Sequence, residues 1–327
     1  MTESLEKLIL KDHSPIGDCW SSREAFNAGV ISLIIPTIFI FPWFTNKATY
    51  QNPSSSLVVI SALIIFAVIG FFLIGKGFYK IYIAENRNKR KSKFPYEPWQ
   101  FDYNWNQDGI EFNDYKNLYK IVLYFGFAAV FSLPLYFLFI NNFATNNIKI
   151  WFILIAASGV IIWALGSAII GFSYFLIRQF KYDTSYLKFK KFPYFLGEEI
   201  EVYFSNKKII KKGNKLIATL RFIEESIESV KRGRQHIQDI IVYQTYNDRK
   251  NIEILEEKPQ MVKINFLIPE NCKSNNMSKN FNKSYWELEI SSTAKGIDFN
   301  ARFLIPIYSI SKKRKPAERA GRAVPSV

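Results

Sequence analysis

The stretch Ile150–Ile177, IWFILIAASGVIIWALGSAIIGFSYFLI, decides how this chain is read. No charged side chain stands between Lys149 and Arg178, and no polar stripe recurs at the 3.6-residue spacing of a half-buried helix. A hydrocarbon core about 30 Å thick takes about 20 apolar helical residues to cross, so this stretch is long enough to span a bilayer. Three upstream stretches share its character: Ala28–Phe44, Leu57–Gly75 and Ile121–Phe143. The first is short, but no charge lies between Glu24 and Lys47, so it can extend at both ends. It does not read as a cleavable signal peptide, because an acidic, polar segment precedes it and no small-residue cleavage site follows.

Basic residues near span ends stay on the cytoplasmic side. Thr45–Ser56 and Ala144–Lys149 carry only Lys47 and Lys149. By contrast, Lys80–Lys93 holds Lys80, Arg87, Lys89, Arg90, Lys91 and Lys93 against Glu85 alone. After the fourth stretch come Arg178, Lys181, Lys188, Lys190 and Lys191. The asymmetry predicts a four-span protein of the bacterial inner (plasma) membrane with both termini cytoplasmic. Much of the net charge of +15 is then accounted for by topology and by attraction to anionic lipid headgroups. Nucleic acid is disfavoured as a partner, since no recognition motif or aromatic platform accompanies the charge.

The membrane half reads as one unit written twice, residues 1–93 and 94–180, each a Trp-bearing prelude followed by a helical hairpin. Pro15–Trp20 with Phe26 and Gly29 stands before the first hairpin, and Pro95–Trp99 with Trp105 and Gly109 before the second. Trp20, Trp99 and Trp105 are expected at the lipid headgroups, where an amphipathic ring is half wet. Gly70, Gly75, Gly166 and Gly171 are expected to let helix backbones approach, a main source of helix association in lipid.

From Lys181 the pattern changes to short alternating segments of β-branched and aromatic residues, the mark of strands with one face buried. Seven are expected: Ser185–Phe189, Ile200–Phe204, Leu216–Glu224, Asp239–Gln244, Met261–Ile268, Tyr285–Ser291 and Asp298–Pro306. Turn residues separate them, including Ser205-Asn206 and Asn247-Asp248. The fold class is therefore multi-domain α + β. A four-helix transmembrane region of two duplicated hairpins precedes a cytoplasmic antiparallel β-sandwich over 181–311, and a basic tail, 312–327, is expected to be disordered.

Three stretches carry a family likeness: Val262–Pro269, then Tyr285-Trp286-Glu287-Leu288-Glu289-Ile290, then Gly296–Ile307. They resemble the closing strands of arrestin-like (immunoglobulin-like) sandwiches, in which a strand ends in Pro, a Tyr/Trp-x-Leu-x-Val strand follows, and the last strand finishes near a second Pro. As a whole the chain resembles uncharacterised bacterial inner-membrane proteins with Trp-bearing preludes, helical hairpins and such a C-terminal sandwich. The resemblance implies a fold and brings no activity or functional residue with it.

Chemistry leaves little mark on the sequence. There is no glycine-rich phosphate loop, no Gly-x-Ser-x-Gly elbow and no paired His with an acid at zinc spacing. Cys19, Cys272, His13 and His236 are scattered too widely for a metal site, and a disulfide is not expected in a reducing compartment. No catalytic residue, cofactor or metal is expected, and Glu224, Glu225 and Glu228 read as an exposed face. The candidate contacts are basic loops: Lys207, Lys208, Ile209, Ile210, Lys211 and Lys212, then Lys231, Arg232 and Arg234. In the first, the two isoleucines are expected to dip into the lipid interface. Two readings follow. One is a non-enzymatic adaptor or assembly module that presents its sandwich to an unidentified protein partner. The alternative is a homo-oligomeric membrane-complex subunit forming or gating a solute pathway.

Overall fold

Apolar runs form long helices here and alternating runs form strands, so the chain is mixed α+β. The computed structural model describes residues 8–10, 26–34, 53–115, 117–126, 128, 132, 148–211, 215–232, 235–254, 261–277, 282–292 and 298–310. The chain divides into two compact units, each assembled from separated pieces. A β unit takes Met1–Cys19, Ala84–Asn113 and Lys181–Val327, and a helical unit takes Trp20–Ile83 and Asp114–Phe180.

The helical elements are α1 (26–34), α2 (Pro53–Lys93), α3 (117–126) and α4 (Ile148–Tyr182). Two helices, over Leu63–Lys93 in α2 and Ser158–Tyr182 in α4, are long and apolar enough to cross a membrane. The spans expected at 28–44 and 121–143 lie largely outside the described residues. Basic Arg90, Lys91 and Lys93 fill the last turn of α2, where they complement the negative end of the helix dipole. Asp183, at φ 57°, ends α4 in the left-handed conformation that commonly closes a helix.

Helices α1 and α2 pack antiparallel. The Phe26 and Phe78 rings meet edge to face at 5.5 Å. A Cβ on Gly29 would lie 2.7 Å from Ile74 Cγ1 and 2.9 Å from the Gly70 carbonyl oxygen, and one on Gly70 would lie 2.7 Å from Leu33 Cδ2. Glycine at both positions is what lets the two backbones touch. Helices α3 and α4 also run antiparallel. Ile121, Val122 and Phe125 face Ala168, Ile169 and Phe172 across an apolar pocket of about 290 Å³.

The β unit is sandwich-like. One sheet has the order β1 (Leu8–Ile9), β7 (Gln235–Glu253), β6 (Lys215–Arg232), β9 (Ser284–Ser292) and β10 (Phe299–Ile305). The other has β2 (Gly109–Phe112), β3 (Ser185–Phe189), β5 (Glu199–Ser205) and β8 (Val262–Leu267), and β4 (Tyr194–Phe195) pairs with β11 (Ile307–Tyr308). The two larger sheets are antiparallel throughout. Leu187, Val202, Phe204 and Ile264 of one sheet meet Leu220, Leu288, Ala301 and Phe303 of the other in a shared core.

Each expected strand is present, but two are far longer than expected. Strand β6 runs to Arg232, and β7 passes straight through Asn247-Asp248, which had the composition of a turn. Strand β9 pairs with β6 only from Ile217 to Glu224. Beyond that the β6–β7 hairpin continues as a two-stranded ribbon, after a register shift at Phe222/Ile223. Such a bulge increases local twist and turns a ribbon away from its sheet.

Pro15–Trp20 of the first prelude lies outside the described residues; residues 26–34 after it are helical and belong to the helical unit, and the stretch from Trp105 leads into β2 within the β unit. Gly109 opens that strand against its neighbour. Its φ is +150°, and a Cβ there would run into the Leu187 carbonyl of the neighbouring strand. Gly29, by contrast, is a helix-packing glycine.

Candidate functional site

The basic stretch after β5 is a turn built on one buried side chain. Asn206 is 2% exposed. Its Oδ1 accepts the backbone N–H groups of Lys208 (2.9 Å) and Ile209 (3.0 Å). Its Nδ2 donates to the Tyr182 carbonyl (2.8 Å) and to Ser185 Oγ (2.7 Å). An asparagine that holds the backbone two and three residues on is the usual former of such a turn. The bonds fix which way the loop faces: Lys207, Lys208 and Lys211 are exposed, while Ile209 and Ile210 enter the sandwich core. The expectation that these isoleucines dip into lipid is therefore corrected. Burying two Ile side chains stabilises by about 1.5–3 kcal/mol each, and that term fixes them in the core.

The second basic cluster is only partly described. Lys231 and Arg232 end β6, with side chains outside the described residues, as are Arg234 and Lys212. Among the expected packing glycines, a Cβ on Gly70 would run into Leu33 and the Gly29 carbonyl, and one on Gly171 would lie 3.4 Å from Ile121 Cδ1, an ordinary contact. A Cβ on Gly75 or Gly166 would meet no neighbouring element within 4 Å among the described residues. Gly29 supplies the close approach that was expected of them.

Trp20 lies outside the described residues; of the other two prelude tryptophans, Trp99 is buried within the β unit, which corrects its expected place at the headgroups, and Trp105 packs half-buried against the β unit. Trp99 is buried, edge on to Phe195 (5.9 Å) and Tyr308 (5.8 Å). Trp105 Nε1 donates to Tyr308 Oη at 2.8 Å, and that hydroxyl donates to Asp102 at 3.3 Å. Burial, reinforced by the Asp102 charge, pushes the Tyr308 hydroxyl well above its usual pKa, so it stays a neutral donor. An aromatic ring with one polar atom suits a protein core as well as a headgroup layer. Here the partner that decides between them is about 200 residues away in sequence.

The acidic residues are held by neighbours. Glu225, expected on an exposed face, is buried and accepts the Tyr285 hydroxyl at 3.0 Å. Arg221 bonds Glu287 at 2.7 Å and also Glu289. Glu201 takes Lys190 (2.7 Å), Lys263 (3.0 Å) and the Tyr203 hydroxyl (2.5 Å), which together bring its pKa down to about 2. In the helical unit Asp114 caps α3, accepting the N–H groups of Asn117 and Leu118 on its carbonyl. Its carboxylate faces Arg178 of α4 at 3.3 Å. Burial raises its pKa although Arg178 and Asn117 act the other way. Among the described residues no three His, Cys, Asp or Glu side chains come together as a metal would need.

No protein-family model matches this chain. No curated protein matches it either. Among solved structures, the crystal structure of Spo0M, a sporulation control protein from Bacillus subtilis, is similar over 42% of this chain at 14% identity and a TM-score of 0.24. The match spans 54% of that protein, about half its length, and carries no argument about fold or function.

Proposed function

We propose that this is a four-span protein of the bacterial inner membrane whose helical unit is two hairpins and whose β unit serves as a cytoplasmic adaptor or assembly module. One observation carries the reading. Leu8–Ile9 pairs with β7, Gly109–Phe112 pairs with β3, and both strands belong to the C-terminal sandwich. Three pieces of chain that hydrogen-bond into one β unit lie on one side of any bilayer. The segments between them, Trp20–Ile83 and Asp114–Phe180, must then cross an even number of times. Two crossings each fit the spans read near 28–44, 57–75, 121–143 and 150–177. The basic residues around Lys80–Lys93 and after Arg178 favour the cytoplasm for the shared side.

The adaptor role rests on what the unit offers: sheet-edge strands and a β6–β7 ribbon that β9 leaves two-stranded beyond Glu224, elements that take partners by strand addition. Trypsin applied to spheroplasts and to inverted inner-membrane vesicles tests the topology. The sandwich should be cut only in inverted vesicles, and epitope tags placed after Lys47 and after Asn146 should be reached only in spheroplasts. Digestion of the sandwich in intact spheroplasts overturns the proposal. Photo-crosslinkers along β8 and the ribbon test the adaptor role, which fails if they trap only a second copy of the chain.

A further inference from the structure

We infer that the Asn206 turn is a headgroup clamp: it holds Lys207, Lys208 and Lys211 in the phosphate layer of anionic phospholipid next to the last transmembrane helix. The inference rests on the proposal that α4 spans the membrane, and it adds a place and a ligand. Three observations carry it.

The first is the tie itself. Asn206 donates to the carbonyl of Tyr182, the last residue of α4, and to Ser185 at the start of β3. Only Asp183 and Thr184 separate helix from strand, and the Thr184 N–H is held by Asp183 Oδ1 at 2.8 Å. The turn is thus fastened to the end of α4.

The second is distance. The uncharged run of α4 ends at Ile177, and Tyr182 follows five residues later, about 7.5 Å along a helix at about 1.5 Å per residue. The headgroup layer on each side of the hydrocarbon is about 5–8 Å thick, from a total of about 40–45 Å against about 30 Å. A turn bonded to the Tyr182 carbonyl therefore lies at the outer edge of that layer, from which flexible lysine stems reach back toward the phosphates.

The third is the exposure of the side chains. With Ile209 and Ile210 buried, the turn leaves its lysines exposed, and Lys181, over the Tyr182 ring at 4.9 Å, adds a cation at the residue whose carbonyl holds the turn. Lysine is a compact point charge on a flexible stem, suited to a phosphodiester without fixed geometry. Each lysine at an anionic surface contributes roughly five-fold in affinity.

The test uses the full-length protein in nanodiscs of equal parts phosphatidylglycerol and phosphatidylcholine. Native mass spectrometry reads which lipids stay bound. Phosphatidylglycerol should be enriched, and Lys207→Gln/Lys208→Gln/Lys211→Gln should cut that enrichment by at least about five-fold. Lys190→Gln/Lys191→Gln should leave it intact, because those lysines lie beyond the far end of β3, about 17 Å or more along the strand. A second readout places a fluorophore at Lys208→Cys or Lys190→Cys, in a Cys19→Ser/Cys272→Ser background, against a lipid carrying a nitroxide on its headgroup. Quenching should be several-fold stronger at 208. Equal quenching at both sites, or unchanged enrichment in the triple variant, overturns the clamp. The protease-sidedness experiment fails independently if α4 does not span, so the two failures can be told apart.

Discussion

The β unit and the helical unit use the same residue types in opposite ways. In the sandwich, Trp286, Phe303 and Ile290 are fully buried. In the helices, Trp163 is 75% exposed, Ile170 73% and Phe71 68%. Polar atoms follow suit: the β unit buries Asn206, Asn275 and Glu225 with partners, while most of α4 has no charge to bury. A unit that turns its large apolar groups outward is matched to a solvent that does not penalise them. On the proposed reading that solvent is lipid, where helix association comes from close packing and not from hydrophobic burial.

The largest expected effect tests this contrast directly. Trp286→Ala empties a core position and strands the Lys273 carbonyl that its Nε1 bonds at 2.9 Å, so the sandwich should lose about 3–5 kcal/mol. Trp163→Ala should cost almost nothing in a bilayer. Chemical denaturation of both variants in nanodiscs measures the difference, and equal losses would mean that the helical unit buries its tryptophan against protein.

A second comparison lies within the helical unit. Gly29→Val drives a side chain into Ile74 and the Gly70 carbonyl, and overpacking of this kind costs about 1–3 kcal/mol. Gly75→Ala meets nothing among the described residues and should be neutral or stabilising by up to about 1 kcal/mol. Thermal unfolding in mild detergent separates them. If both variants behave alike, close backbone approach is not what joins α1 to α2.

The contrast between units also explains what the sequence made legible. Strands β3, β5, β8 and β10 have one buried face over at least five residues, so their period of two is written in local order. Strands β1, β4 and β11 have two residues each, too few to show a period, and exist only because a distant partner pairs with them. Asn247 and Asp248 have turn chemistry, yet they sit in β7 at the edge of the described sheet beyond the reach of β1, where the backbone tolerates them. Lys207–Lys212 is a symmetric pattern of charge pairs around two isoleucines, so nothing local says whether the apolar pair faces core or lipid. Asn206 has the chemistry of a turn former, but its hold on Tyr182, 24 residues earlier, is not visible in residue order alone. The expected headgroup place of Trp99 failed for the same reason, since its packing on Tyr308 joins residues far apart in sequence.

The smallest expected effect sets the two units apart by the sign of their response to acid. Glu201 in β5 has its pKa lowered from 4.5 to about 2 by Lys190, Tyr203 and Lys263. Its folded value lies below its unfolded one, so its contribution is fully present above about pH 4.5 and is lost as pH falls through about 2. Asp114 is the reverse case. Burial raises it above 3.8 despite Arg178 and Asn117, so the folded state binds the proton more tightly and stability should rise as pH falls through the raised value toward 3.8. Glu201→Gln should flatten the acid limb of the melting curve below about pH 4.5. Asp114→Asn should remove the gain above pH 3.8 and leave that limb unchanged. Melting temperatures of the full chain and both variants, taken across the acid range, measure each sign. If Asp114→Asn flattened the same limb as Glu201→Gln, the Arg178 charge would dominate at α3 and the two carboxylates would be stabilised in the same way.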